Sequence, residues 1–277
     1  HEPAESLEEV AQRYAALSSE VRLLVERTAP GGEPEALLAV DRAEPAPVAS
    51  AAKLWVLLAL QRAVAESPSA DDLWAQELVI AEDAKSLPSG ILQDRPAGST
   101  VTVREAARLM IEISDNTATD LLIHHLGRDA VERAVEASGM HDPALLRPFP
   151  TTREQFELEW GDRGLADRWV AGDEAERREV LAELGERGPT VTLSHALARP
   201  FDARIGGWRA SADDLAAVLA ALDEGGAAGD DYAEILGGPG SAIPEALVMV
   251  FNADLGVGVI VTAGPQGEFT ARVPTDF

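Results

Sequence analysis

Ser50-Ala51-Ala52-Lys53 puts a hydroxyl and an amine three residues apart at the start of Val48 to Ala65, a segment apolar on nearly every face that reads as a central, buried helix. Residues three apart on a helix face the same side, so this spacing brings the two groups together. A serine hydroxyl is a weak nucleophile at neutral pH and needs an adjacent base. A lysine set among Leu54, Trp55 and other apolar groups has its charged form disfavoured, which lowers its pKa toward a useful range. The helix N-terminus supplies partial positive charge and backbone N–H groups suited to an oxyanion. The plainer alternative is a small surface serine and a lysine that extends its head to water, because the tetrad is common by chance. Lysine is scarce here, Lys53 and Lys85 being the only two among 23 bases.

A second cluster follows 64 residues after Ser50: Ser114-Asp115-Asn116, set in Met110-Ile111-Glu112-Ile113-Ser114-Asp115-Asn116-Thr117-Ala118-Thr119-Asp120-Leu121-Leu122 and preceded by Thr102-Val103-Arg104-Glu105-Ala106-Ala107. On its own it could be a helix N-cap. With Ser50 and Lys53 it resembles the class A β-lactamases and penicillin-binding proteins, over roughly Leu37 to Gly139. The resemblance implies Ser50 as nucleophile, Lys53 as its base, Ser114 as proton relay between lysine and leaving group, and Asn116 as a hydrogen-bond partner of the acyl side chain. Thr151-Thr152-Arg153-Glu154 and Ile205-Gly206-Gly207-Trp208 look more like an actinobacterial, divergent branch of β-lactamase-like serine hydrolases.

Two further family elements depart from pattern. The third motif is Lys-Thr-Gly or Lys-Ser-Gly, yet no lysine follows Lys85; Ile235-Leu236-Gly237-Gly238 stands in its place, with Leu236, Gly237 and Gly238 as substrate-binding candidates. An apolar Leu236 removes a charge-assisted hydrogen bond to a substrate carboxylate, a loss of ~2–3 kcal/mol, on the order of a hundredfold. Arg209 and Arg204 are the nearby cations that could compensate. The glutamate that activates deacylating water in class A enzymes is matched by position to Glu154, with Glu157 and Glu159 behind it, although the Glu-x-x-Leu-Asn pattern is absent. Glu154 fits equally as the cap of a helix opened by Thr151 or Thr152. Without such a base the acyl-enzyme would hydrolyse slowly.

Several elements must position these groups. Glu5 to Arg27 reads as an amphipathic helix on Leu7, Val10, Tyr14, Leu17, Val21 and Leu24, and Leu37-Leu38-Ala39-Val40 as a short buried strand. Val103 to Ile113 and Thr117 to Leu126 read as helices on either side of Ser114-Asp115-Asn116. Pro143 to Arg153 reads as a loop, Glu157 to Arg187 as mostly helical, and Ala212 to Leu222 as a helix capped by Ser211. Ala246 to Asn252 and Gly256 to Thr262 are β-branched runs that read as a hairpin. Strands at both ends with helices between predict an α+β (α/β) fold, an antiparallel sheet from the two termini packed with helices. The expected organisation is a single β-lactamase/transpeptidase-like domain, residues 1–277, with a sheet lobe near 1–48 and 200–277 and a helical lobe near 49–199.

Composition narrows the partners. Forty-eight acids against 23 bases give a net charge of -25, which repels nucleic acid and anionic lipid. The apolar run Leu54 to Leu60 is too short for a membrane span. There is no cysteine, and the five histidines lack metal-ligand spacing, His124 and His125 being adjacent; no metal and no cofactor is expected. A start at His1-Glu2-Pro3 suggests a removed leader or tag, and the family resemblance implies a secreted or cell-surface, monomeric protein acting on a small molecule. Two functions remain open: an acyl-serine hydrolase of a β-lactam, ester or peptide-like carbonyl, and a non-catalytic descendant that binds a ligand or cell-wall partner.

Overall fold

The amphipathic period that starts at Leu7 does not continue to Arg27 as one helix. In the computed structural model, which describes residues 6–16, 21–27, 33–199, 202, 205, 207–224, 246–252 and 257–262, α1 (Leu7–Ala15) is followed by strand β1 (Val21–Arg27). Val21 and Leu24 suit a helical period as well as a strand apolar on both faces. Ladders on both sides of the segment decide for the strand, and Val21, Leu23, Leu24 and Val25 are buried there. β2 (Glu35–Val40) is real but not buried as its apolar run suggested: it is the sheet edge, with Leu37 exposed. β7 (Ala246–Asn252) and β8 (Val257–Thr262) form the expected hairpin and complete an antiparallel sheet of order β2-β1-β7-β8, with Leu23 opposite Val40 on one side and Val250 on the other. The sheet drawn from both ends of the chain is thus observed.

Between those ends the chain is mostly helical. β3 (Ala46–Pro47) leads into a 3-10 turn, Ala49–Ala52, and only then α2 (Lys53–Glu66), so Ser50 sits on the tighter turn rather than inside the α-helix expected from Val48. Ala49 has φ +44°, incompatible with α-helix, and Val48 N–H is held by Trp208 O at 2.9 Å, which sets where the helix can begin. α2 is buried on nearly all sides as its sequence requires: Trp55, Val56, Leu57 and Leu60 are fully enclosed.

α3 (Ala70–Trp74) and the small sheet β4 (Glu77–Val79) with β5 (Thr100–Thr102) lead to α4 (Val103–Glu112), α5 (Asn116–Leu126) and α6 (Arg128–Ala137). Thr102 caps α4 and Asp115 caps α5, each side chain accepting a backbone N–H of the first turn. α2 packs against α5 and α6, while α7 (Thr152–Trp160), α8 (Arg163–Ala171) and α9 (Glu174–Arg187) build a second small core around Leu158, Leu165, Trp169, Val180 and Leu184. α10 (Leu193–Ala198), β6 (Arg209–Ala210) paired with β3, and α11 (Ala212–Asp223) follow; α11 begins after Ser211 as read from the sequence. Among the described residues, no helix is long and apolar enough to cross a membrane.

Candidate active site

Three elements meet at Ser50: its 3-10 turn, the first turn of α2, and the bend between α4 and α5. Lys53 is 1% exposed, and its Nζ donates to Ser114 O at 2.7 Å, Ser114 Oγ at 2.9 Å and Asn116 Oδ1 at 2.8 Å. Ser114 Oγ is in turn 2.8 Å from Ser50 Oγ, and Ser50 is exposed. The amine therefore reaches the hydroxyl through Ser114. Burial pushes the Lys53 pKa down to about 8, with Asp120 and Asp115 pulling against that shift.

Protonation fixes the direction of this chain. Ser114 O is an acceptor only, and Asn116 is oriented by its Nδ2, which donates to Leu87 O at 3.0 Å, so its Oδ1 must face the amine. A neutral amine has two N–H donors and one lone pair. The donors satisfy the two fixed acceptors, and the lone pair is left facing the Ser114 hydroxyl. In the structure Nζ donates to Ser114 Oγ and Ser114 Oγ to Ser50 Oγ; with the amine neutral both bonds can reverse, Ser114 donating to Lys53 and accepting from Ser50.

The bend carrying Ser114 is held under constraint. Ser114 has φ +57°, uncommon for a residue with a side chain, and the fully buried Asp115 anchors it. Asp115 Oδ1 accepts from Ala118 N at 2.8 Å, while Oδ2 accepts from Ile91 N at 2.7 Å and Leu92 N at 2.9 Å. Gly90 makes this possible: it has φ +120°, and a Cβ there would lie 2.3 Å from Asp115 Cγ. Ser89 adds two ties, its Oγ donating to Ser114 O at 2.8 Å and its O accepting from Asn116 N at 2.9 Å. Ile91 and Ile113, 48% and 41% exposed, flank these residues in sequence and put apolar surface beside the bend.

Glu154 lies in the first turn of α7, where Thr151 and Glu154 form a reciprocal capping box. Its Oε2 accepts from Thr151 N at 2.7 Å, and Arg128 Nη2 bonds both oxygens at 2.7 and 3.0 Å. Glu157 accepts from Thr190 N, Thr190 Oγ1 and Val191 N, and Glu159 from Asp202 N. Arg209 Nη2 donates to Pro45 O at 3.1 Å. Leu236, Gly237, Gly238 and Arg204 lie outside the described residues. Among the described residues no group of acids or histidines could hold a metal.

The sequence marks Pro88-Ser89-Gly90 only as a turn and gives Asp120 no role at the site. Asp120 is 1% exposed and accepts from Thr152 N at 2.7 Å and Arg153 N at 2.9 Å. Its signal was an acid one turn after Asn116, directly before the apolar Leu121-Leu122-Ile123.

A profile of the β-lactamase enzyme family matches residues 3–231. Among solved structures, the β-lactamase from Sphaerobacter thermophilus is 21% identical, covering 87% of this chain and 81% of that one with TM-score 0.52. The class A β-lactamase from Mycobacterium abscessus is 14% identical over 91% and 86% of the two chains, TM-score 0.53. A PBP-A variant, seen as an acyl-enzyme complex with penicillin G, is 17% identical over 91% and 86%, TM-score 0.51. No curated protein sequence matches. These structural likenesses concern the fold.

Proposed function

The chain belongs to the β-lactamase enzyme family, and from that premise we propose a serine hydrolase that works through an acyl-enzyme on Ser50. The observation that carries this reading is the unbroken hydrogen-bonded chain from Lys53 Nζ through Ser114 Oγ to Ser50 Oγ. Neutral Lys53 draws the Ser114 proton, Ser114 draws the Ser50 proton, and Ser50 Oγ attacks a carbonyl carbon. Backbone N–H groups of the Ser50 turn receive the oxyanion. Reversal of the relay delivers the proton to the leaving group, and Asn116 hydrogen-bonds the acyl side chain.

The substrate class is a β-lactam or a related ester or amide. The apolar surface of Ile91 and Ile113 favours an apolar acyl group, and Leu236 in place of the third-motif lysine weakens the hold on a carboxylate. Deacylation is the slow step: Glu154 is occupied by Arg128 and its own helix cap, which supports its reading as a capping residue over that of a water-activating base. The protein acts as a monomer outside the cytoplasmic membrane on a small molecule.

The test is a burst experiment with a chromogenic cephalosporin and a short-chain chromogenic ester. One product equivalent per chain, released quickly and followed by slow turnover, is expected for at least one of them. A full panel with no burst and no turnover supports instead a non-catalytic ligand- or cell-wall-binding protein.

A further inference from the structure

Asn116 and Asp120 stand four residues apart on α5, hence one above the other on the same helix face. The upper residue touches Lys53 Nζ through Oδ1 at 2.8 Å, so the lower places a carboxylate one turn beyond the amine inside the same core. Both oxygens of Asp120 are anchored, by Thr152 N and Arg153 N at the start of α7. Thr152 Oγ1 closes the circuit by donating to Asn116 O at 3.2 Å. A buried anion is costly without compensation, and two backbone N–H groups at a helix N-terminus supply part of it.

We propose that Asp120 is a positioning residue for the acylation reaction: it is the counter-charge of Lys53, and it ties the protonation of that base to the docking of the first turn of α7. The inference rests on the reading of Ser50, Ser114 and Lys53 as reacting groups. Asp115, at the head of α5, also favours the charged amine, but its carboxylate is bonded to Ile91, Leu92 and Ala118 and to nothing on α7, so Asp120 is the acid that links Lys53 to that helix. On α7, Arg153 is paired with Glu157, and Glu154 is paired with Arg128 from α6. On the turn that packs against α5, Glu82 is paired with Lys85. Asp83 lies on that turn and bears on His124 farther along α5, whose pKa burial lowers.

Burial holds the Asp120 pKa up to about 7, against the pull of its backbone hydrogen bonds, so its charge changes in the range in which the relay operates. While ionised it keeps the proton on Lys53, and removing its charge releases that proton at lower pH.

The test uses the full chain and its Asp120→Asn variant, labelled with a fluorescent fluorophosphonate across pH 5.5–9.5, with thermal melts alongside. The pH at which the labelling rate is half its plateau should fall by about one unit in the variant, raising the pH 6 rate several-fold relative to each protein's own plateau. A profile unmoved in a folded variant overturns the proposal. If the variant does not fold, reciprocity supplies the test, because Lys53→Met leaves every Asp120 hydrogen bond in place. The assigned Asp120 carboxyl carbon should then titrate at higher pH than in the wild type, and an unchanged midpoint overturns the proposal. Wild-type protein that never labels contradicts the hydrolase reading itself, a distinct outcome.

Discussion

The acylation rate should follow the neutral fraction of Lys53. With a pKa of about 8, the amine is neutral in about one-eleventh of molecules at pH 7, about one-hundredth at pH 6, and nearly all at pH 9.5. The second-order rate of Ser50 labelling should therefore rise about tenfold from pH 6 to pH 7, about fivefold from pH 7 to pH 8, and level off above pH 9. Neutralisation of Asp120 below about pH 7 makes the acid limb somewhat shallower than one decade per unit. The assay is stopped-time labelling with a fluorophosphonate read by in-gel fluorescence, corrected for hydrolysis of the probe at each pH. A rate independent of pH between 6 and 9, or one that falls as pH rises, would refute the assignment of Lys53 as the base.

Other substitutions test the frame around the relay. Gly90→Ala drives a methyl group into Asp115, whose carboxylate must then give up some of three backbone hydrogen bonds; a loss of about 3–5 kcal/mol in urea unfolding is expected, and a loss under about 1 kcal/mol contradicts the close approach. Glu154→Gln should lower stability by about 1–2 kcal/mol through the cap and the Arg128 pair while leaving the steady turnover rate within a factor of about three; a loss of turnover without loss of stability would make Glu154 a base. Stability should also rise with pH between about 8 and 10.5. The native Lys53 pKa is lowered, so in that window the unfolded chain holds a proton that the native one has shed, a gain of up to about 3 kcal/mol. Chemical unfolding of Lys53→Met at both ends of the window should show a flatter dependence, and an unchanged slope counts against the buried amine as its source.

Local patterns carried most of the fold. α2 could be recognised because a helix apolar all round has to be central, and α5 and α11 because Asp115 and Ser211 announce their starts. β1 differs from the helix its sequence predicts because Val21 and Leu24 satisfy two periods at once, and only its pairing with β2 and β7, the latter more than two hundred residues away, selects the strand. The apolar content of β2 predicts burial but cannot say whether a further strand lies beyond it, and among the described strands none lies there.

At the site, Ser50, Lys53, Ser114 and Asn116 were legible as residue types at a spacing. The route from amine to hydroxyl was not. A three-residue helical offset suggests direct contact, whereas the positive φ at Ala49 and Ser114 and the tighter turn at Ser50 interpose the Ser114 hydroxyl. Asp120 escaped notice because its meaning depends on what the far segment 152–153 offers it: two backbone N–H groups, a property no side-chain pattern encodes.

The central claim is a nucleophile at Ser50 driven through Ser114, and intact mass spectrometry with peptide mapping after fluorophosphonate treatment tests it most directly. One adduct at Ser50 is expected in the wild type, none in Ser50→Ala, and a labelling rate lowered by on the order of a hundredfold or more in a folded Ser114→Ala. Equal modification of Ser50→Ala, or wild-type labelling rates in Ser114→Ala, would contradict it.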